Sequence, residues 1–109
     1  MGNKGLTVET NFGTFHDCYL KVDRYVIDNS LFIAVENDEE GQIAVITKRL
    51  NNRNLGAGMA YVDDNNCLWA AEFIKANKLG DFTHVYFKSG YCSYPLYKFD
   101  LKRIKRYEK

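Results

Sequence analysis

Short stretches of alternating apolar and polar residues occur near the start of the chain. Residues 6–10 alternate, and so do residues 18–25, where Cys18, Leu20 and Val22 are separated by polar or amphipathic neighbours. A period of two is typical of half-buried β-strands, because successive side chains of a strand point to opposite faces of a sheet. This pattern constrains the chain toward a β-rich fold.

Two β-branched apolar runs, residues 31–35 and 42–47, flank the acidic turn ENDEEG. Gly41 in this turn can adopt a positive φ at little cost, so the segment predicts a β-hairpin. Residues 49–66 are mostly loop, with a short strand at residues 59–62. Two more strands are predicted at residues 82–88 and 94–101. Pro95 lacks a backbone donor, which places its strand at a sheet edge or at a strand start.

From Cys67 the apolar residues follow a helical period. The residues predicted to share the apolar face of this helix are Trp69, Ala70, Phe73, Ile74 and Ala76. Asn65 or Asn66 is a candidate N-terminal cap, and Gly80 is a candidate left-handed stop after the last turn. Six or so strands around one helix predict an α+β fold, a mainly antiparallel β-sheet with one amphipathic α-helix packed on it.

The length of the chain limits the number of its domains, and its charge limits the classes of partner. Its 109 residues fit a single domain, residues 1–109, with a basic tail at 102–109 that we expect to be frayed. The net charge of +1 permits a local basic patch but does not demand nucleic acid or an anionic membrane as partner. Without an apolar run long enough for a membrane span or a signal peptide, no membrane partner is predicted.

No arrangement of residues indicates a metal, a cofactor or a catalytic centre. Cys18, Cys67 and Cys92 are widely spaced, which favours reduced thiols in a cytoplasmic protein over disulfides or a zinc site. Cys92 with His84 could form a thiolate and its base, but Cys92 lies in a tyrosine-rich strand rather than at a helix N-terminus. Gly56 and Gly58 begin a phosphate-binding pattern that is not completed. We therefore predict no enzyme, no metal and no cofactor.

The segment SGYCSYPLYKFD, residues 89–100, is the most distinctive part of the chain. Seven of the eighteen residues from 82 to 99 are aromatic, more than a small core can bury, so some of them should reach the surface. Tyrosine is enriched where one protein grips another. The predicted partner-binding residues are Tyr91, Tyr94, Tyr97, Lys98, Lys102 and Arg103. A protein partner is predicted, with the acidic turn Asp38, Glu39 and Glu40 as a candidate mimic of phosphate charge.

Nucleic acid is the alternative partner for the same segment. Basic residues interleaved with aromatic ones can neutralise phosphates and stack on bases, as single-strand binders do. The nearly neutral charge and the missing consensus of RNA-binding sheets weigh against it.

AYVDDNNCLWAAEFIKANKLG and SGYCSYPLYKFD together resemble a family of small proteins that carry a domain of unknown function and occur in bacteriophages, plasmids and conjugative elements. The resemblance covers roughly residues 18–101, and Leu68 stands where the family pattern often has proline. The matching residues are Asp64, Asn65, Asn66, Trp69, Leu79, Gly80, Ser89, Gly90, Tyr91, Cys92, Tyr94, Pro95, Tyr97 and Phe99.

The resemblance implies an accessory protein of a mobile genetic element that acts in a bacterial cytoplasm. Small proteins in that setting often bind and block a host factor, including CRISPR nucleases and other defence proteins. Taken together, this implication and the aromatic segment favour a non-enzymatic binding protein that acts by steric occlusion. The family itself assigns no catalytic residues.

Overall fold

A computed structural model describes residues 5–25, 30–50 and 56–108. This part of the chain contains eight strands and two short helices, and every strand pair in it is antiparallel, so the α+β prediction is confirmed. The strands are β1 (Leu6–Thr10), β2 (Gly13–Arg24), β3 (Leu31–Asn37), β4 (Gly41–Val45), β5 (Thr47–Lys48), β6 (Met59–Val62), β7 (Gly80–Ser89) and β8 (Cys92–Phe99). The helices are α1 (Ala70–Ala76) and α2 (Leu101–Lys105).

The first sheet is a meander in the order β1-β2-β3-β4. Alternation places Leu20, Ile33 and Val35 on the buried face, where each is almost fully enclosed. The predicted hairpin at the acidic turn is confirmed, and Gly41 takes a φ of 72° there. The turn is held by Asn37, whose side-chain oxygen accepts a hydrogen bond of 2.7 Å from the Glu40 amide.

The second sheet has the order β5-β6-β8-β7, so the strand that carries Pro95 lies inside the sheet. The prediction that this strand lies at an edge or begins at Pro95 is wrong. The sheet tolerates the proline because the pairing of β8 with β6 extends only from Lys98 to Leu96. Pro95 is thus beyond the last residue pair of that ladder, where no donor is needed.

The two sheets meet where the chain passes from β4 to β5 through Ile46. The Ile46 amide donates to the Ile33 carbonyl at 3.0 Å, and the Ile33 amide donates to the Thr47 hydroxyl at 3.1 Å. Ile46 is fully buried in the main core, together with apolar residues of both sheets and of α1. Residues 51–55 of the predicted loop lie outside the described residues.

Helix α1 is shorter than its hydrophobic period predicts. Its first residue is Ala70, and Ala70, Phe73 and Ile74 are buried as expected, whereas Ala76 is exposed. Neither Asn65 nor Asn66 caps it, since the N-cap position is Trp69 and no side chain bonds there. The carboxylate of Asp63 instead organises the preceding turn by accepting hydrogen bonds from Asn66.

The left-handed residue after α1 is Lys78, with a φ of 54°, and not Gly80. Gly80 is already the first residue of β7 and is paired with Phe99. A side chain at this position would meet the Lys98 carbonyl oxygen, because a Cβ would lie 2.8 Å from it. The glycine is therefore needed for close approach of two strands.

The basic tail, which we expected to be frayed, instead forms α2 and folds back on β2. Asp100 caps α2 by accepting a hydrogen bond of 3.1 Å from the Arg103 amide. Ile104 is 1% exposed in the main core, and the Tyr107 carbonyl accepts from the Leu20 amide at 2.8 Å. One buried isoleucine and one backbone bond thus fix a segment that is otherwise rich in charge. Lys109 lies outside the described residues.

Helix α1 lies between the two sheets, with a groove on each side. One groove separates it from β1, an edge strand of the first sheet, and the other separates it from β7, an edge strand of the second. Neither described helix is long enough to cross a membrane.

Candidate functional site

A row of aromatic rings crosses from the core to the surface along β8 and β7. Ring centroids lie 6.0 Å apart for Phe99 and Tyr97, 5.6 Å for Tyr97 and Phe82, and 5.3 Å for Phe82 and Tyr86. Exposure rises along the row from 4% at Phe99 to 59% at Tyr86. The core therefore continues without a break into a surface that displays aromatic rings.

Two of the predicted partner-binding tyrosines are buried and are not displayed on the surface. Tyr94 and Tyr97 are each only 8% exposed, so the prediction that they face outward is wrong. They point to opposite faces of β8, and both faces are covered there. Tyr97 packs in the main core, whereas Tyr94 packs with Leu50 and Tyr61 in a second small cluster on the other face. Burial is the largest of the causes that raise the pKa of both phenols.

The outer part of β7 and the turn that follows it are exposed. Residues 84–91 are all exposed, and we call this segment the arm. It forms because β6 pairs with β8 no further than Leu96, which leaves the rest of the hairpin as a two-stranded ribbon. Gly90 closes it with a φ of 64°, as a two-residue loop favours.

Large apolar side chains are concentrated in the arm. Of the seven that are exposed in the described part of the chain, four belong to it: Val85, Tyr86, Phe87 and Tyr91. Tyr86 and Phe87 are neighbours on one strand and point to opposite faces. The Tyr86 ring contacts Phe82, whereas the Phe87 ring lies 5.7 Å from Tyr61 on the other face. The exposed apolar side chains of the described chain are thus concentrated in one segment, on both of its faces.

A wide bulge sets the start of the arm. Phe82 pairs with Tyr97 and Tyr86 with Pro95, so the three residues Thr83, His84 and Val85 oppose Leu96 alone. His84 takes a φ of 67°, in the left-handed region that few residues with side chains adopt. Its ring lies 4.7 Å from that of Phe82. The bulge thus reorients the strand and displays an imidazole beside the aromatic row.

The predicted basic residues lie at the opposite end of the hairpin from Tyr91. Lys98 and Lys102 are exposed, and Arg103 is half-buried, with its Nε donating to the Asn77 carbonyl at 3.0 Å. Seven residues of extended chain separate Tyr91 from Lys98, or about 23 Å. The structure therefore separates Lys98 and the basic residues that follow it from the exposed tyrosine.

The cysteines lie in settings that keep the thiols protonated or distant from a base. Burial raises the pKa of the Cys18 thiol, and it raises that of Cys67 to about 11 with a smaller effect of Asp63. His84 lies opposite Leu96, four residues or about 13 Å along β8 from Cys92. Within the described ranges, no three His, Cys, Asp or Glu side chains are grouped so that they could hold a metal ion.

The residues that our sequence reasoning missed are Val85, Tyr86 and Phe87. Their signal was present in the sequence, because three consecutive apolar residues break the alternation that a half-buried strand requires. Such a run fits a strand that is buried on both faces or one that is exposed on both. Which of the two holds depends on how far β6 extends along β8, and β6 pairs with β8 only as far as Leu96.

Residues 19–109 match the model of a family described as a domain of unknown function, DUF4313. Neither a curated protein nor a solved structure gives a significant match.

Proposed function

The chain belongs to the DUF4313 family, a domain of unknown function, and on that premise we propose that it is a non-enzymatic protein-binding module whose recognition element is the arm. One observation carries this proposal: Tyr86 and Phe87 are exposed on opposite faces of a single edge strand. Tyrosine and phenylalanine are enriched in the cores of protein interfaces, where they supply large rigid contact areas.

The shape of the arm suggests how it would bind. A two-stranded ribbon is about 5 Å between strand axes, and the four paired residues from Tyr86 to Ser89 extend it by about 13 Å. A partner that contacts both faces must enclose the arm, so its site is a cleft. A cleft filled in this way is closed to its ordinary ligand, which is the mechanism of steric occlusion.

The edge of β7 offers a second means of binding a partner. Within the described part of the chain β7 pairs with β8 alone, so alternate amide and carbonyl groups point outward. An extended segment of the partner can pair with them while its side chains contact the aromatic rings. Lys88 lies on this strand and, as a charged edge residue, disfavours indiscriminate pairing.

The partner class that we propose is a host or defence protein, such as a CRISPR nuclease, blocked by a protein of a mobile genetic element. The family resemblance described above is the support for this part. The test is phage plating on a bacterium that has an active CRISPR defence and expresses the chain. Plaque numbers rise if the proposal holds, and they stay low when the arm residues are changed.

The binding proposal itself is tested by capture with tagged protein from host lysate. We expect wild type and Phe12→Ser to retain one defined protein, and Tyr86→Ser/Phe87→Ser/Tyr91→Ser to lose it without a change in Tm. Phe12 is the matched control, because it is an exposed aromatic residue at the turn between β1 and β2. Equal capture by the triple variant would overturn the assignment to the arm.

The nucleic-acid alternative predicts a different outcome of the same experiment. The bound material would be nucleic acid, it would dissociate steeply as salt rises, and Lys98→Gln/Lys102→Gln would release it. The separation of these lysines from Tyr91 is why we favour a protein partner.

A further inference from the structure

The groove between β1 and α1 is separate from the arm and has a volume of about 600 Å³. One wall is formed by β1 and the residues that follow it. The other wall is formed by α1 and its two cap residues, with Trp69, Phe73 and Asn77 at successive turns. Leu68 also lines the groove, is 65% exposed and is not part of the main core.

The groove borders the free edge of β1. Among the residues that the structure describes, β1 pairs with β2 alone, and no residue of β2 lines the groove. The groove must therefore lie on the side of β1 that faces away from its partner. Alternate amide and carbonyl groups of an edge strand point in that direction and are available to another strand.

The size of the groove fits a short extended segment. From Thr7 to Asn11 the β1 wall is about 13 Å long, at about 3.3 Å for each residue. From Trp69 to Asn77 the helical wall is about 12 Å long, at 1.5 Å for each residue. Both walls match about four residues of extended peptide.

The charged residues of the described chain that line the groove are all acidic. The charged residues among those lining it are Glu9 and Glu72, both exposed, and no lysine, arginine or histidine of the described chain lines it. Half-exposed Trp69 adds an aromatic ring beside these carboxylates. An indole ring is the best aromatic partner for a cation, and carboxylates favour the same charge.

We infer that this groove binds an extended, lysine- or arginine-bearing segment of a partner protein, which pairs with the free edge of β1 and places a cationic side chain beside Glu9, Glu72 and Trp69. The backbone pairing gives the segment its direction, and the carboxylates select its charge. The groove and the arm are different surfaces, so the proposal for one can be correct when the proposal for the other is wrong.

Trp69 makes this inference directly measurable, because it is the only tryptophan in the chain. The probe is a capped hexapeptide of alternating lysine and valine, which contains no fluorescent residue. Its titration into the full-length protein should shift the Trp69 emission to saturation. The same peptide with glutamate in place of lysine should give no shift.

Two double variants test whether the carboxylates of the groove select the charge of the peptide. Glu9→Gln/Glu72→Gln removes two exposed carboxylates and should weaken the peptide Kd by about tenfold, the sum expected of two solvent-exposed ion pairs. Glu39→Gln/Glu40→Gln makes the same change in net charge at the β3–β4 turn and should leave the Kd unchanged. An equal effect of the two double variants would show that only net charge matters, and it would overturn the site.

Backbone pairing has its own control. A peptide N-methylated at alternate residues keeps its charge but cannot donate along one edge, so it should bind at least tenfold more weakly. If it binds as well as the parent peptide, strand addition to β1 is wrong. If neither lysine peptide changes Trp69 emission at millimolar concentration, the groove does not bind basic segments at all.

Discussion

The hydroxyl of Thr83 donates a hydrogen bond of 2.8 Å to the carbonyl oxygen of Leu96, the single residue that faces the three-residue bulge of β7. The same hydroxyl oxygen accepts from the Val85 amide at 3.3 Å. One side chain thus replaces the ladder hydrogen bonds that the bulge interrupts. It also fixes the position at which the arm leaves the sheet.

Loss of this hydroxyl should destabilise the hairpin. Thr83→Val keeps the shape of the side chain but leaves the Leu96 carbonyl without its donor, and we expect the free energy of unfolding to fall by about 1 kcal/mol. Urea denaturation measures it. Thr83→Ser keeps the hydroxyl and is the matched control. A Thr83→Val variant as stable as Thr83→Ser would show that the hydrogen bond contributes nothing.

Tyrosines of the same segment should differ sharply in their effect on stability. Tyr97→Ala removes a buried ring and should lower the free energy of unfolding by about 3 kcal/mol, as truncation of buried aromatic residues does. Tyr91→Ala removes a fully exposed ring and should change it by less than about 0.5 kcal/mol. Thermal or urea unfolding of both variants checks this. Similar losses for the two would contradict the burial that we describe.

The C-terminal helix should contribute to the stability of the whole molecule. Ile104→Ala opens a cavity in the main core and should cost about 3 kcal/mol. Lys105→Ala, at the exposed neighbouring position, is its control and should change little. Hydrogen exchange of the Leu20 amide, which donates to Tyr107, gives an independent measurement. Unprotected exchange at Leu20 in the wild type would mean that the tail is frayed after all.

Lys78 adopts a backbone conformation that suits glycine. Lys78→Gly should raise the free energy of unfolding by up to about 1 kcal/mol, because a left-handed conformation is unfavourable for a residue with a side chain. Lys75→Gly, inside α1, should lower it by about 1 kcal/mol. Both lysines are exposed, so the pair separates the backbone effect from the loss of charge. The two variants should therefore change the free energy of unfolding in opposite directions, and a change in the same direction would contradict the prediction.

Cys67 should make stability fall as the pH rises above 9.0, the ordinary pKa of its thiol. Its pKa is about 11 in the folded protein and 9.0 without burial, so the folded state holds the proton more tightly. Stability is therefore unaffected below pH 9 and falls between pH 9 and 11, by an order of 2 kcal/mol in all. Cys67→Ala should show a shallower fall over that interval in urea titrations. Parallel curves for wild type and variant would contradict this assignment.

Local patterns were sufficient for most of the secondary structure. The alternation at residues 6–10 and the β-branched runs on either side of Gly41 predicted strands that the structure contains. The apolar face of α1 was also predicted, apart from Ala76. These predictions succeed because a strand or helix that buries one face leaves a period in its own sequence.

The same patterns could not place the candidate site. Tyr94 and Tyr86 are both tyrosines on one hairpin, yet the first is covered by Leu50 and Tyr61 and the second is exposed. Leu50 lies more than forty residues away from Tyr94 along the chain. No local signal reports whether such a distant residue covers a given ring.

The sequence by itself determined where most of the strands lie, where the acidic turn falls and that the hairpin carries many aromatic rings for a small core. Only the tertiary structure decided which rings are displayed, that Pro95 lies inside a sheet and that the basic tail is folded. Period and propensity are properties of neighbouring residues, whereas burial depends on where β6 ends and on what packs against each face. Those distant contacts, and not the aromatic composition, create the arm.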